Sequence, residues 1–356
     1  MKKLNIAIIG QGRSGRDIHG KFFKSEDNTK FNVVAVVDRD EERRERAKNE
    51  YPGCEAYASY TELYGRNDID VVLNSTISNE HYAVSKDILN HGFNLIVEKP
   101  FARTRYECDE LINLAREKGV KIAVFQQSFF APFYEYAKEV VASGKLGEIK
   151  QIDITYNNFA RRWDWQTTQV KLGGNAYNTG PHPVGLALGF LDFDDDARVV
   201  YSKLDRVLNS GDSDDYAKIL VTAPGKPLVD IEISSNDAYP AANIKLLGSK
   251  GTYKSTISDY EMKYIADGEN PEKTLVLDSM KNDEGYPCYC TEKLITHEES
   301  GSFVGTPFDV GTKKFYDMIY AAVTENAEMQ VKAEHAAKII SIIETAHAEN
   351  PMPVKF

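Results

Sequence analysis

Leu4-Asn5-Ile6-Ala7-Ile8-Ile9-Gly10-Gln11-Gly12-Arg13-Ser14-Gly15 is the stretch from which the rest of the chain can be read. A short apolar run stops at a glycine, two more glycines follow, and a helical pattern runs from Gly15 to Lys24. Strand, tight turn and helix are the succession this requires. In such a succession the first glycine permits the turn, the second lets the main chain approach a pyrophosphate, and the third lets helix and strand pack closely. The free N–H groups at the helix start point toward phosphate. Gly10, Gly12, Arg13, Ser14 and Gly15 are therefore the predicted phosphate side of a dinucleotide site.

Working outward, Phe31 to Val37 is a β-branched run that ends at Asp38, where a carboxylate can accept from ribose hydroxyls and repel a 2′-phosphate. Arg39 beside it could pair with that phosphate if Asp38 turned away. NAD is the favoured cofactor and NADP stays open. Val71 to Leu73 leads into a polar loop, so Ser75, Thr76 and His81 fall where a cofactor passes the carboxyl ends of parallel strands. Phe93 to Val97 is another apolar strand, closed by Glu98-Lys99-Pro100. Helical candidates lie between the strands at Glu41 to Glu50, His81 to His91 and Tyr106 to Lys118, the last capped by Gly119. Lys121 to Phe125 adds a strand, and the βαβ rhythm predicts a doubly wound parallel sheet over residues 1–125.

From Gln126 the pattern changes. Glu148 to Asn157, Arg198 to Arg206, Ala217 to Ala223 and Leu228 to Ser234 alternate apolar and polar residues, as antiparallel strands with one covered face do. Phe308 to Thr324 and Lys332 to His347 read as amphipathic helices. Residues 126–356 are thus expected to form an α+β domain on a large open, mostly antiparallel sheet. A length of 356 residues agrees with two domains.

The formal net charge of -11 leaves no basic excess for a nucleic-acid or anionic-membrane surface. No apolar stretch reaches the length of a membrane span, and the start is too short in apolar residues for a secretory leader. The four cysteines include Cys288 and Cys290 with no ligand set near them to complete a zinc site. A reduced, cytoplasmic protein without a structural metal is expected.

Gly10 to Gly15, Ser75-Thr76-Ile77-Ser78-Asn79-Glu80-His81, Glu98-Lys99-Pro100-Phe101, Ser143 to Ile149, and Gly173-Gly174 through to His182 together resemble the glucose–fructose oxidoreductase/inositol dehydrogenase/rhizopine catabolism family, Gfo/Idh/MocA. The resemblance covers nearly the whole chain. It implies a Rossmann domain followed by an α/β domain, NAD(P)-dependent oxidoreduction of sugars or polyols, and homodimers or homotetramers often packed through the second sheet. It further implies that Lys99 contacts both nicotinamide and the reacting hydroxyl, that Glu98 is its structural neighbour, and that His182 is a catalytic histidine.

On physical grounds, an ammonium in a semi-closed cleft has a lowered pKa that suits proton transfer from an alcohol, and a neutral imidazole can take the same proton. The family's aspartate four residues before the histidine is here Asn178, which can orient an imidazole but not stabilise its cation as a carboxylate does. Gly185 replaces another common aspartate, and Gln126 to Pro132 lacks an arginine often found there. Which of Lys99 and His182 is the principal base stays open.

Arg161-Arg162-Trp163-Asp164-Trp165-Gln166 is the candidate sugar-binding loop, since tryptophan faces stack on pyranose rings and Arg162 can pair with hydroxyls. Trp163, Trp165 and Tyr177 equally suit anchors of a loop or an interface. His19 reads as a helix-surface histidine, and Asp192 to Asp196 as a solvated turn. Two rivals accompany the dehydrogenase expectation. One is a glycoside hydrolase that retains NAD and oxidises a ring hydroxyl transiently; the other is a non-catalytic sugar or dinucleotide sensor.

Overall fold

The structure, a computed structural model, describes residues 2–356. In the N-terminal part the apolar runs form six strands: β1 (Leu4–Ile9), β2 (Phe31–Val37), β3 (Glu55–Tyr57), β4 (Val71–Asn74), β5 (Asn94–Val97) and β6 (Ile122–Val124). All pair in parallel, in the order β3-β2-β1-β4-β5-β6. Helices α1 (Gly20–Phe23), α2 (Glu41–Glu50), α3 (His81–Asn90) and α4 (Arg105–Lys118) make the crossovers. Local chemistry sets their ends. Asp40 accepts from the N–H groups of Glu42 and Arg43 to start α2. Thr104 and Glu107 close a capping box on α4, which Gly119 ends in the left-handed conformation at φ 69°. Strand order reverses between β1 and β4, the crevice where open α/β sheets bind ligands.

The helix expected over Gly15 to Lys24 is split. Ser14–His19 is a π-helical turn, in which the Gly20 N–H reaches back five residues to Gly15 O before α1 begins. His19 thereby lies on the same buried side as Phe22 and Phe23.

The second part supplies α5 (Pro132–Ser143), β7 (Ile149–Thr155), α6 (Asn175–Asn178), α7 (Pro181–Phe190), β8 (Arg198–Asp205), β9 (Tyr216–Thr222) and β10 (Leu228–Ser234). It continues through β11 (Ile244–Gly248), β12 (Gly251–Ser255) and β13 (Asp259–Tyr264), a small hairpin of β14 (Met280–Lys281) and β15 (Pro287–Cys288), then β16 (His297–Ser302), α8 (Pro307–Thr324) and α9 (Ala333–Glu349). Eight strands join in the order β16-β13-β12-β11-β7-β10-β9-β8. Only the β7–β10 pair is parallel. Alternation sends Ile152, Ile154, Ile219, Val221, Val229 and Ile231 into the core, while Asp153, Lys218, Asp230 and Glu232 take the opposite face. The inner face packs on α5, α7 and α9.

Helix α8 leaves this domain. Its Phe315, Tyr316, Ile319 and Tyr320 join one apolar cluster with Ile6, Ile8, Phe22, Phe31 and Phe125, covering a face of the first sheet. No helix among the described residues is long and apolar enough to cross a membrane.

Candidate active site

At the carboxyl end of β1 the chain turns at Gly10 with φ +91°, and a Cβ there would lie 2.4 Å from the Ser75 carbonyl oxygen. A Cβ on Gly15 would lie 1.9 Å from Gly10 O. Main chain thus excludes any larger residue from both positions. Around Gly12 the nearest atom to such a Cβ is Arg43 Nη1 at 3.8 Å, which leaves open ground of the kind a pyrophosphate needs. Ser75 Oγ donates to Ile9 O and Gly10 O at 2.8 and 2.9 Å, so β4 clamps the turn. The buried Gln11 side chain leaves both its amide atoms without a partner beside it. Arg13 is exposed and Ser14 half-buried at the same turn. A closed turn, an open Gly12 and an orphaned amide together fit a bound dinucleotide.

Asp38 stands just past the end of β2, beside this turn. Its Oδ2 accepts from Gln11 N at 2.7 Å and its Oδ1 from Asp40 N at 2.9 Å, which fixes the carboxylate at the end of β2. Arg39 points outward, with its side chain 82% exposed and Nη1 3.4 Å from Glu80 Oε1. Thr76 donates to Asn74 Oδ1 at 2.7 Å. His81, placed by sequence along the cofactor path, lies deeper than that. Its Nδ1 is 2.7 Å from Pro100 O and its Nε2 3.2 Å from Thr76 O, so the imidazole ties the loop after β4 to the turn after β5. Burial lowers its pKa.

Lys99 stands at the carboxyl end of β5, ahead of a cis bond to Pro100. Its Nζ donates to Asn178 O at 2.8 Å, a contact between the two domains made at the C-terminal residue of α6. Burial lowers the amine's pKa, the Glu98 carboxylate opposes that, and the charges of Arg13 and Arg162 lower it again; the net direction is down. His182, in the first turn of α7, is half-buried, with Nδ1 3.1 Å from Ser128 Oγ. Burial and the Lys99 charge push its pKa down to about 3. The Asn178 side chain does not serve this imidazole, because its Oδ1 accepts from Gln166 Nε2 at 3.4 Å.

Behind Lys99 the structure corrects one expectation outright. His19 has no exposed surface: its Nε2 is 3.0 Å from Glu98 Oε1 and its Nδ1 2.7 Å from the Tyr316 hydroxyl. The surface reading failed because the π-helical turn puts His19 on the side of Phe22 and Phe23, beneath α8. Burial opposes the Glu98 charge, but the His19 hydrogen bond and the neighbouring Lys99 and His81 hold that carboxyl down at about 2.

The opposite wall is polar. Arg162, Gln166, Asn175, Asn178, Asn209 and Ser235 line a cleft that opens beside Asn178. Arg162 forks onto Asp164 Oδ2 at 3.0 Å, while Trp163 is 77% exposed and Trp165 39%. Tyr177 is turned away from this cleft: it is buried, donates to Arg103 O at 2.6 Å and stacks on His347 of α9 at 4.8 Å. At the floor, Asp214 Oδ2 accepts from Ala176 N at 2.7 Å, and burial raises its pKa to about 7. Gln166 belongs to the expected sugar-binding loop, whereas sequence reasoning passed over Ser128, Asn175 and Asp214. Ser128 alone left a trace, inside the segment from Gln126 to Pro132 noted for its missing arginine.

Residues 4–126 match the model of an oxidoreductase family with an NAD-binding Rossmann fold, GFO_IDH_MocA, and residues 134–254 match the GFO/IDH/MocA C-terminal domain. The chain belongs to this family of oxidoreductases, and its cofactor is a nicotinamide dinucleotide. Among its relatives is an uncharacterized oxidoreductase, C115.03, of Schizosaccharomyces pombe, 23% identical over 98% of this chain and 97% of the other. The NADP(+)-dependent scyllo-inositol 2-dehydrogenase IolW of Bacillus subtilis is 23% identical over 96% and 92%. A variant of KijD10, a 3-ketoreductase from Actinomadura kijaniata in complex with TDP-benzene and NADP, has the same fold at a TM-score of 0.75, with 16% identity over 98% of each chain.

Proposed function

We propose that the protein transfers a hydride between NAD and a hydroxyl-bearing carbon of a sugar, cyclic polyol or sugar derivative. One observation carries this reading: the Lys99 amine at the carboxyl end of β5, lowered in pKa, donates to the main chain of Asn178, a residue that also lines the polar cleft. Gly10, Gly12 and Gly15 would hold the pyrophosphate and Asp38 the ribose. A fixed Asp38 and an outward Arg39 favour NAD over NADP. When bound, the nicotinamide supplies the acceptor or donor of hydride.

In the oxidative direction the Lys99 amine accepts the hydroxyl proton and becomes an ammonium. His182 is the weaker base. With Asn178 where a carboxylate would stand, only the Glu98 charge favours an imidazolium; burial and the Lys99 charge outweigh it, and a value near 3 leaves the ring neutral at pH 7. As a neutral ring it orients the hydroxyl by hydrogen bonding. Arg162, Gln166 and the two exposed tryptophans form the sugar-recognising rim.

We further propose assembly into a dimer or tetramer through the outward face of the eight-stranded sheet, and a reducing, cytoplasmic setting in keeping with four free cysteines. Absorbance of reduced cofactor, read with NAD and NADP separately against inositols, aldoses, sugar acids and glycosides, tests the central claim. Net reduction with one class supports it. Aglycone release without net reduction replaces it with the redox-cycling hydrolase, and silence throughout with tight cofactor binding replaces it with a sensor.

A further inference from the structure

We propose that His19 and Tyr316 are positioning residues for Lys99: they hold the Glu98 carboxylate in place behind the lysine and, through it, govern when the Lys99 amine gives up its proton. The proposal rests on the reading of Lys99 as the base.

The geometry is a continuous chain. The Tyr316 hydroxyl is 2.7 Å from His19 Nδ1, His19 Nε2 is 3.0 Å from Glu98 Oε1, and Glu98 Oε2 accepts from the Lys99 N–H at 3.0 Å. One arrangement of hydrogens satisfies every member: Tyr316 O–H donates to Nδ1, and Nε2–H donates to the carboxylate. Three separate stretches of sequence supply these groups, and His19, Glu98 and Tyr316 are all buried. Packing leaves the rings little freedom. Phe22 stacks on Tyr316 at 4.7 Å, and Phe125 meets the His19 imidazole edge-on at 4.3 Å.

A carboxylate this deep needs hydrogen-bond donors to stay ionised. His19 supplies the side-chain donor, and the Lys99 main chain supplies another. The charged and titratable groups around this pair are His81 of α3, Arg13 of the glycine turn, Arg162 of the opposite wall, His182 of α7, and Tyr51 beside Tyr316. Of these and the chain itself, Glu98 alone is anionic. It is the single counter-charge that keeps the Lys99 ammonium from losing its proton still more readily. Without the His19 donor the buried carboxyl takes up a proton, and the amine then titrates lower.

Competitive acetylation of lysines across pH, with the Lys99 peptide quantified by mass spectrometry, reads this on the full chain without any substrate. His19→Leu should lower the apparent Lys99 pKa by about one unit, making the amine roughly tenfold more reactive at a pH below that value. Glu98→Gln should reproduce the shift, while His19→Gln, which keeps a donor toward Glu98, should restore a titration close to wild type. Tyr316→Phe deletes one hydroxyl and should give a smaller shift in the same direction, which covers the case in which His19→Leu does not fold. Unchanged Lys99 titration in folded Glu98→Gln and Tyr316→Phe proteins overturns the proposal. Lys99→Ala turnover tests the underlying reading separately: full activity would remove Lys99 as the base and leave the labelling result standing.

Discussion

Around Gly10 and Gly15 one wall of the site is main chain in contact with main chain, whereas from Ala160 to Asn178 a second wall presents side chains to the polar cleft. The first wall allows almost no substitution, because carbonyl oxygens stand where a Cβ would go. The second tolerates change. Arg162, Trp163 and Trp165 are held by a local ion pair and short turns rather than by a core. On the proposed reading, the contrast teaches where such an enzyme could vary its substrate while keeping its cofactor: recognition of the common ligand would be written in backbone, and recognition of the particular one in exposed side chains.

Replacing the group that bridges the two walls should give the largest effect. Lys99→Ala is expected to lower kcat by about 10²–10⁴-fold, the usual contribution of a positioned general base, with cofactor affinity nearly unchanged by fluorescence titration. Equal losses in both would mean that Lys99 serves the cofactor rather than the proton.

Glycine substitutions sharpen the account of the rigid wall. Gly10→Ala, at φ +91° and against Ser75 O, should cost about 1–3 kcal/mol of stability, measured by denaturant unfolding. Gly12→Ala, with open space around it, should leave stability intact and weaken NAD binding instead. If both variants lose stability equally, the open ground above Gly12 is not a ligand's place.

Acid titration probes His182, at the start of α7. An unfolded imidazole takes up a proton as pH falls through about 6.5, whereas His182 in the folded protein resists until about 3. The folded state therefore loses stability across that window, and above it the effect vanishes. His182→Gln should flatten the fall of Tm between pH 6.5 and 4; an unaltered slope would show the ring to be far better solvated than its setting implies.

The smallest effects belong to the soft wall. Trp163→Ala should leave unfolding stability within about 0.5 kcal/mol, as befits an exposed site, and raise KM for the sugar while sparing KM for NAD. A drop in stability or a change of oligomeric state would make Trp163 an interface anchor.

The same contrast governs what could be read from sequence. Glycine spacing, the Asp38 position and the strand ends of the first domain follow from local rules, so β1, β2 and α2 fall on the residues expected. In the second sheet β11, β12, β13 and β16 escaped notice, because Lys245, Lys254, Lys263 and Gly301 interrupt any apolar run on strands whose outer face is polar. His19 was misread for a different reason. A helix of ideal pitch leaves it outside, and only a wide turn together with a helix almost three hundred residues away makes it interior. Tyr177 likewise found its partner, His347, on the last helix. Long-range pairings of this kind leave no periodicity to detect.

Helix α8 carries a consequence for the way the chain comes into being. A ribosome delivers β1 through β6 some two hundred residues before Phe315, Tyr316 and Ile319 emerge to cover them. For that interval the nascent first domain holds an uncovered apolar face and an unpartnered His19, the sort of surface that chaperones recognise and neighbouring chains stick to. A fragment ending at residue 125 would carry the same bare face permanently, so the half of the molecule whose sequence is easiest to read is the half whose apolar face is covered by the other end of its own chain.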